Sequence, residues 1–189
     1  MRDIYLLRHT QVDVPSGLCY GRSEVPLAAS ADTDIDTALE RLPAQARAAE
    51  HVIASPSSRC LRLANTLSRS ARTDMRLQEF NFGAWEGRRW HHIPALQIAI
   101  WSANVAHVRA PGGENLRDVA KRANECVQTW LAQTDGPVVL VTHGGVIRAL
   151  VAALLKLPLA AVTRFNIDYG SCTCVRMHLQ HAELRYLNR

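Results

Sequence analysis

The sequence has almost no lysine: Lys121 and Lys156 are the only two among 189 residues, and arginine supplies nearly all of the positive charge. No basic run exceeds two residues, and aromatic residues make up only 6% of the chain. Nucleic-acid-binding surfaces combine clustered cations with aromatic side chains, so we expect no nucleic-acid partner. The net charge of +5 is modest and suits attraction of a small anionic substrate equally well.

Long hydrophobic runs and an even set of cysteines are also missing. No apolar run approaches the ~20 residues that span a bilayer, and no signal-peptide core follows Met1, so we expect no membrane partner and a cytoplasmic location. The five cysteines, an odd number, favour reduced thiols over a disulfide framework. The pair Cys172 and Cys174 has no further ligands at metal-site spacing, and the adjacent His91 and His92 cannot share a helical face, so we expect no metal.

The chain alternates short apolar segments with amphipathic ones. Helical spacing of apolar residues predicts helices over 35–42, after Ser55-Pro56, from Glu114 and after His143. Ser55 is the expected N-cap of its helix and Pro56 its first residue. Strands are predicted over 4–7, 51–54, 75–79, 138–141 and, as an antiparallel pair, 175–179 and 184–187. This alternation predicts an α/β fold, a three-layer α/β/α sandwich with a mostly parallel sheet and an antiparallel edge strand.

The length of 189 residues favours a single domain, residues 1–189. Residues 84–113 have an irregular pattern and include Trp85, Trp90 and Trp101. We interpret this segment as a small cap insertion, partly helical, that covers part of the domain.

Reactive side chains follow the predicted strands at several separate points of the chain. The carboxyl ends of parallel strands lie on one edge of a sheet, and ligands bind there in such folds. We therefore expect five groups from four segments to meet at this edge: Arg8, His9, Arg59, Glu79 and His143.

These groups have a common chemical use. Arginine forks suit phosphate oxygens, a neutral imidazole is a competent nucleophile near pH 7, and a carboxyl group can protonate a leaving alcohol and then deprotonate water. His143 precedes two glycines at a helix start, where backbone N–H groups favour an anion. Phosphoryl transfer through a phosphohistidine uses all five of these groups. Metal-dependent hydrolysis would need more carboxylates, and a serine triad would need a nucleophile elbow, which the sequence lacks.

The motifs that carry these residues resemble those of the histidine phosphatase superfamily, the phosphoglycerate mutase-like group. They occur in the family's order from residue 4 to about 175: Leu7-Arg8-His9-Thr10, Ser55-Pro56-Ser57-Ser58-Arg59, Leu77 to Arg88, Pro111-Gly112-Gly113-Glu114 and Thr142-His143-Gly144-Gly145. The fourth motif resembles the family's Gly-Glu-Ser turn, with Asn115 in place of Ser.

The resemblance implies a role for each of the five groups. His9 would be the phosphorylated nucleophile, and Glu79 the general acid and then the base for hydrolysis. Arg8, Arg59 and His143 would hold the phosphoryl oxygens. The family needs no metal, and we expect no cofactor.

The sequence departs from the family directly after the Arg-His pair. The family's usual Asn that touches phosphate is missing from the segment 10–16. Gln11 or Ser16 could replace that contact, and the residues alone leave the choice open.

The segment Gly17 to Leu27 resembles a bacterial α-ribazole phosphatase-like branch, which acts in cobalamin biosynthesis. Similar loops contact substrate in the family, which makes Tyr20, Gly21, Arg22 and Ser23 substrate-binding candidates together with Gly144. The tryptophans of the cap favour a compact or aromatic leaving group, consistent with α-ribazole 5'-phosphate.

Three functions remain in competition. A phosphomonoester hydrolase is favoured, with α-ribazole 5'-phosphate or another small phosphomonoester as substrate. A phosphoglycerate mutase-type phosphotransferase would use the same chemistry but needs longer caps and a C-terminal tail, and this chain stops soon after its last strand. A non-catalytic phosphate-binding regulatory module is the third, and the joint presence of His9, Glu79 and His143 argues against it. Oligomeric state is not readable from the sequence.

Overall fold

The structure, a computed structural model, describes all residues 1–189. Its centre is a six-stranded sheet with the strand order β3-β2-β4-β1-β5-β6. Strands β3, β2, β4 and β1 are parallel, whereas β5 runs antiparallel to β1 and β6 antiparallel to β5. The strands are β1 (Arg2–Arg8), β2 (His51–Ala54), β3 (Arg72–Thr73), β4 (Val138–Thr142), β5 (Cys172–Met177) and β6 (Ala182–Tyr186).

Six α-helices connect and flank these strands. They are α1 (Ala31–Arg41), α2 (Ala44–Arg47), α3 (Ser58–Leu67), α4 (Ala95–Ala103), α5 (Leu116–Leu131) and α6 (Gly144–Leu154). Short 3₁₀ helices occur at Met75–Leu77, Gly83–Trp85, Trp90–His92 and Leu159–Arg164. None of the helices is both long and apolar enough to cross a membrane.

The sheet is buried on both faces because successive side chains of a strand point to opposite sides. In β1, Ile4 and Leu6 join a large apolar cluster that includes α5 and α6. Tyr5 and Leu7 join a second cluster that includes α1 and α3. The prediction of a three-layer α/β fold with a mostly parallel sheet and an antiparallel edge is therefore confirmed.

Three local predictions were wrong. Residues 75–79 do not form a strand, because Asp74 accepts a hydrogen bond from the backbone N–H of Arg76 and begins a 3₁₀ turn. Helix α3 begins at Ser58 with Ser57 as its N-cap, since Ser55 points instead to a histidine described below. Helix α5 begins two residues after Glu114, at a capping box of Asn115 and Asp118.

Residues 84–113 contain the end of the 3₁₀ helix Gly83–Trp85, the 3₁₀ helix Trp90–His92 and α4. Their tryptophans pack together with two phenylalanines, since Trp101 lies within 5.7–6.1 Å, between ring centroids, of Trp85, Phe80, Phe82 and Trp90. Helix α4 buries no residue completely. That this segment is an insertion in a single domain remains a proposal.

Candidate active site

The carboxyl ends of β1 and β4 bring two histidines together. His9 follows directly after β1 and His143 directly after β4, and these strands are parallel neighbours in which Arg8 pairs with Thr142. The two imidazole centroids are 5.2 Å apart and meet edge to face. Both rings are buried, with His9 2% and His143 0% exposed.

The tautomer of His9 is determined by its neighbour. Nδ1 lies 2.8 Å from the carbonyl oxygen of Thr10, and because a carbonyl can only accept, Nδ1 must carry the proton. Nε2 then keeps its lone pair. Burial lowers the pKa of His9 to about 3, and the guanidinium groups of Arg59 and Arg8 contribute to this shift. His9 is therefore neutral at pH 7.

Arg8 is held by a loop that the sequence analysis did not single out. Its Nη1 donates to the carbonyl of Ile167 at 2.6 Å, and its guanidinium lies 3.6 Å from the centroid of the Tyr169 ring. Gly144 packs beside it, since a Cβ there would lie 3.3 Å from Arg8 Nε. Arg8 forms no ion pair with a carboxylate.

Arg59 lies in the first turn of α3 and is completely buried. Its Nη2 donates to the carbonyl of Gly21 at 2.8 Å and its Nη1 to the carbonyl of Ser23 at 2.9 Å. Arg59, like Arg8, has no carboxylate partner. A buried cation without a counter-ion is costly, and a bound anion would relieve that cost.

Several buried polar atoms around His9 have no hydrogen-bond partner. Only four buried side-chain polar atoms lack a partner, and three of them belong to Arg8 (Nε), Arg59 (Nε) and Thr10 (Oγ1). Buried polar groups are usually satisfied in native proteins, so such a concentration beside two histidines marks a functional region.

Glu79 reaches the start of α6 from the segment after the 3₁₀ turn. Its Oε1 accepts from the backbone N–H of Phe80 at 2.8 Å and its Oε2 from that of Gly145 at 3.1 Å. Glycine at 145 leaves room for this carboxylate, because a Cβ there would lie 2.4 Å from Glu79 Oε1 and would displace it. Arg122 of α5 supports the same segment by donating to the Glu79 carbonyl at 3.0 Å.

His143 is positioned by one side chain from the β2–α3 connection and one from the first turn of α3. Its Nε2 lies 2.8 Å from Ser55 Oγ and 3.5 Å from Cys60 Sγ. Its pKa is well below the usual range, because the ring is buried and because His9 and Arg59 lie near it. His143, like His9, is therefore neutral at pH 7.

The loop 20–23 packs on the site through its backbone. Glu86 accepts hydrogen bonds from the backbone N–H groups of Arg22 and Ser23 and from the Ser23 hydroxyl. The Arg22 guanidinium is paired with Glu114 at 2.9 Å, and Tyr20 shares a 2.8 Å hydrogen bond with Tyr169. Glu86 thus holds this loop in place, and the Arg22 and Ser23 side chains are bound within the protein.

The two candidates for the missing Asn contact lie elsewhere. Gln11 is exposed and lines a cavity of about 260 Å³ with Arg41 and Tyr169, and His9 and Arg8 do not line it. Ser16 is exposed in a turn that is closed by the Leu18 N–H and the Pro15 carbonyl. Neither side chain forms a hydrogen bond with the group around His9, whereas the hydroxyl of Thr10 is buried next to it.

Sequence reasoning missed Ser55, Cys60 and Tyr169. Tyr169 had a usable signal, because it precedes β5, and the start of a strand antiparallel to β1 lies at the carboxyl end of β1. The sequence around Ser55 was misleading, because Ser before Pro is typical of a helix N-cap and does not indicate a partner of His143.

A comparison with protein families places the chain among known proteins. Residues 4–189 match the model of the histidine phosphatase superfamily (branch 1). The chain therefore belongs to this superfamily. The prediction of a phosphoric monoester hydrolase is confirmed at this level.

Individual relatives differ in the substrates for which they are named. The chain is 34% identical over 178 residues to a glucosyl-3-phosphoglycerate phosphatase of Mycobacterium tuberculosis, covering 84% of this chain and 78% of the relative. A solved mycobacterial glucosyl-3-phosphoglycerate phosphatase superposes with a TM-score of 0.87 at 30% identity, covering 100% and 99%. The α-ribazole phosphatase of Shigella flexneri superposes with a TM-score of 0.86 at 22% identity, covering 99% and 96%, and shows the fold alone.

Proposed function

We propose that the chain hydrolyses small phosphomonoesters in two steps through a phosphohistidine on His9. The observation that supports this most strongly is the orientation of His9. Its Nδ1–H is bound to the Thr10 carbonyl, so Nε2 is unprotonated, and two arginines without carboxylate partners lie nearby to receive the negative charge of a phosphoryl group.

In the first step, the lone pair of His9 Nε2 attacks phosphorus, and the bond between phosphorus and the leaving oxygen breaks. The Glu79 carboxyl group gives its proton to that oxygen, so the alcohol leaves neutral. The hydrogen bonds from the N–H groups of Phe80 and Gly145 hold the carboxyl group in place.

In the second step, the Glu79 carboxylate takes a proton from water, and the water oxygen attacks phosphorus. The bond between phosphorus and Nε2 breaks, inorganic phosphate leaves, and His9 regains its lone pair. Arg8, Arg59 and the neutral ring of His143 stabilise the phosphoryl oxygens in both steps. We propose Thr10, which the resemblance did not indicate, as a polar neighbour of this phosphoryl site.

Two substrates have specific support. The cavity beside Glu79, about 410 Å³, is lined by Phe80, Phe82 and Trp101, which favours a leaving group with a ring such as that of α-ribazole 5'-phosphate. The mycobacterial relative favours glucosyl-3-phosphoglycerate. The five cysteines are all unpaired thiols, which supports a cytoplasmic location.

Steady-state turnover of p-nitrophenyl phosphate, both named substrates and phosphoserine by wild type and His9→Ala tests the proposal. We expect wild type to release phosphate and His9→Ala to be inactive on every compound. His181→Ala, which replaces an exposed histidine, is the control and should keep full activity. Turnover by His9→Ala would overturn the mechanism, and a single well-used compound would identify the substrate.

A further inference from the structure

The cavity beside Glu79 contains one cation among apolar walls. Phe80 and Phe82 stack with centroids 4.6 Å apart, and Trp101 meets both edge-on at 6.0 Å. Arg148 of α6 lines the same cavity. Because the proton donor of a phosphatase must touch the leaving oxygen, a cavity that borders Glu79 is where the leaving group would lie.

Arg148 is only partly used by the protein. Its Nε donates to the carbonyl of Phe165 at 2.7 Å, and its two terminal nitrogens have no partner. No carboxylate lies within 4.0 Å of its guanidinium. Burial and the nearby Arg8 lower its pKa, and the Glu79 carboxylate offsets part of this shift.

The position of Arg148 separates it from the cations proposed to hold the transferred phosphoryl group. Arg148 lines the aromatic cavity together with Glu79 and Gly145, whereas neither Arg8 nor Arg59 lines it. A second anionic group on the substrate would therefore meet Arg148 without displacing the phosphoryl group.

We propose that Arg148 determines specificity by binding an anionic substituent, a carboxylate or a second phosphate, on a leaving group whose body packs against Phe80, Phe82 and Trp101. This inference rests on the proposed phosphatase function. It predicts a preference for anionic leaving groups over neutral ones, and so favours a glycerate-type ester over a neutral nucleoside-type ester.

A matched pair of substrates tests the proposal. 3-(Carboxymethyl)phenyl phosphate and 3-methylphenyl phosphate differ in a carboxylate that a methylene group insulates from the phenol, so their leaving abilities are similar. We expect wild type to favour the carboxylated compound in kcat/KM by about tenfold to a hundredfold, the size of one charge-assisted hydrogen-bonded pair. Arg148→Gln should remove this preference, so that the ratio of the two kcat/KM values falls to about one.

Two further variants make the result specific. Arg148→Lys keeps the charge and should retain part of the preference. Arg69→Gln removes an exposed arginine and should retain all of it, which excludes an effect of net charge. An equal loss on both compounds in Arg148→Gln, or no preference in wild type, would overturn the inference while the phosphatase function stands. Failure of wild type to hydrolyse either compound would instead overturn the proposed function, and this inference with it.

Discussion

Single side chains in this site are held in place by hydrogen bonds to backbone groups. His9 uses Nδ1 for the Thr10 carbonyl, Arg148 uses Nε for the Phe165 carbonyl, and both oxygens of Glu79 accept backbone N–H groups. Side chains fixed in this way lose little conformational freedom when a substrate binds.

Glu79→Gln tests the proton-donor function at this scale. An alkyl phosphate needs a proton on its leaving oxygen, so we expect kcat/KM to fall by about 10²–10⁴-fold. p-Nitrophenyl phosphate, whose phenolate leaves without a proton, should lose much less. Glu125→Gln, an exposed carboxylate on α5, should behave as wild type. Equal losses for the alkyl and nitrophenyl esters would show that Glu79 does not protonate the leaving group.

The first turn of α6 contributes more residues to the proposed site than any other part of a helix or strand. His143 is its N-cap, Gly144 packs on Arg8, Gly145 donates to Glu79, and Arg148 follows one turn later. Glycine at 145 allows the Glu79 carboxylate to keep its position, because a Cβ would lie 2.4 Å from Glu79 Oε1.

Gly145→Ala should therefore lower kcat/KM at least tenfold by displacing the Glu79 carboxylate. Stability should be retained, because alanine is favoured over glycine in a helix by about 1 kcal/mol. Gly136→Ala, where a Cβ would lie 3.4 Å from Thr134 Oγ1, is the matched control. Thermal melts measure the stability of both variants, and steady-state kinetics measure their kcat/KM. A fully active Gly145→Ala enzyme would contradict the proposed position of Glu79.

The sequence predicts elements well where a buried apolar run leads into a turn. The ends of β1 and β4 were predictable for this reason, and with them the meeting of His9 and His143. The strand predicted over 75–79 was wrong because its apolar residues alternate as in a strand, whereas the Asp74 side chain favours a 3₁₀ turn. Arg148 could not be found, because an arginine on a helix gives no sign of whether it faces solvent or a cavity.

The molecule as a whole contains two imidazoles that folding makes harder to protonate. The pKa of His9 falls to about 3 and that of His143 falls well below its usual range. In the unfolded chain both titrate near about 6.5. Below that pH the two histidines bind protons in the unfolded state but not in the folded state. The free energy of unfolding therefore decreases as the pH falls from about 7 towards 5.

His9→Gln should remove part of this dependence. Each histidine contributes at most about 1.4 kcal/mol per pH unit below its unfolded pKa, so the variant should lose less stability than wild type between pH 7 and 5. Urea unfolding at several pH values measures the difference, with His181→Gln as the control. Identical pH slopes in wild type and His9→Gln would contradict the neutral state assigned to His9.

Covalent phosphorylation of His9 is the central claim, and trapping it is the most direct test. Wild type is mixed briefly with p-nitrophenyl phosphate, quenched at alkaline pH to preserve phosphohistidine, and measured by intact mass and peptide mass spectrometry. We predict a gain of one phosphoryl group, located on the peptide that contains His9, absent from His9→Ala and retained in His181→Ala. Rapid turnover with no phosphorylated protein at any time point, or a phosphoryl group on another residue, would contradict the account.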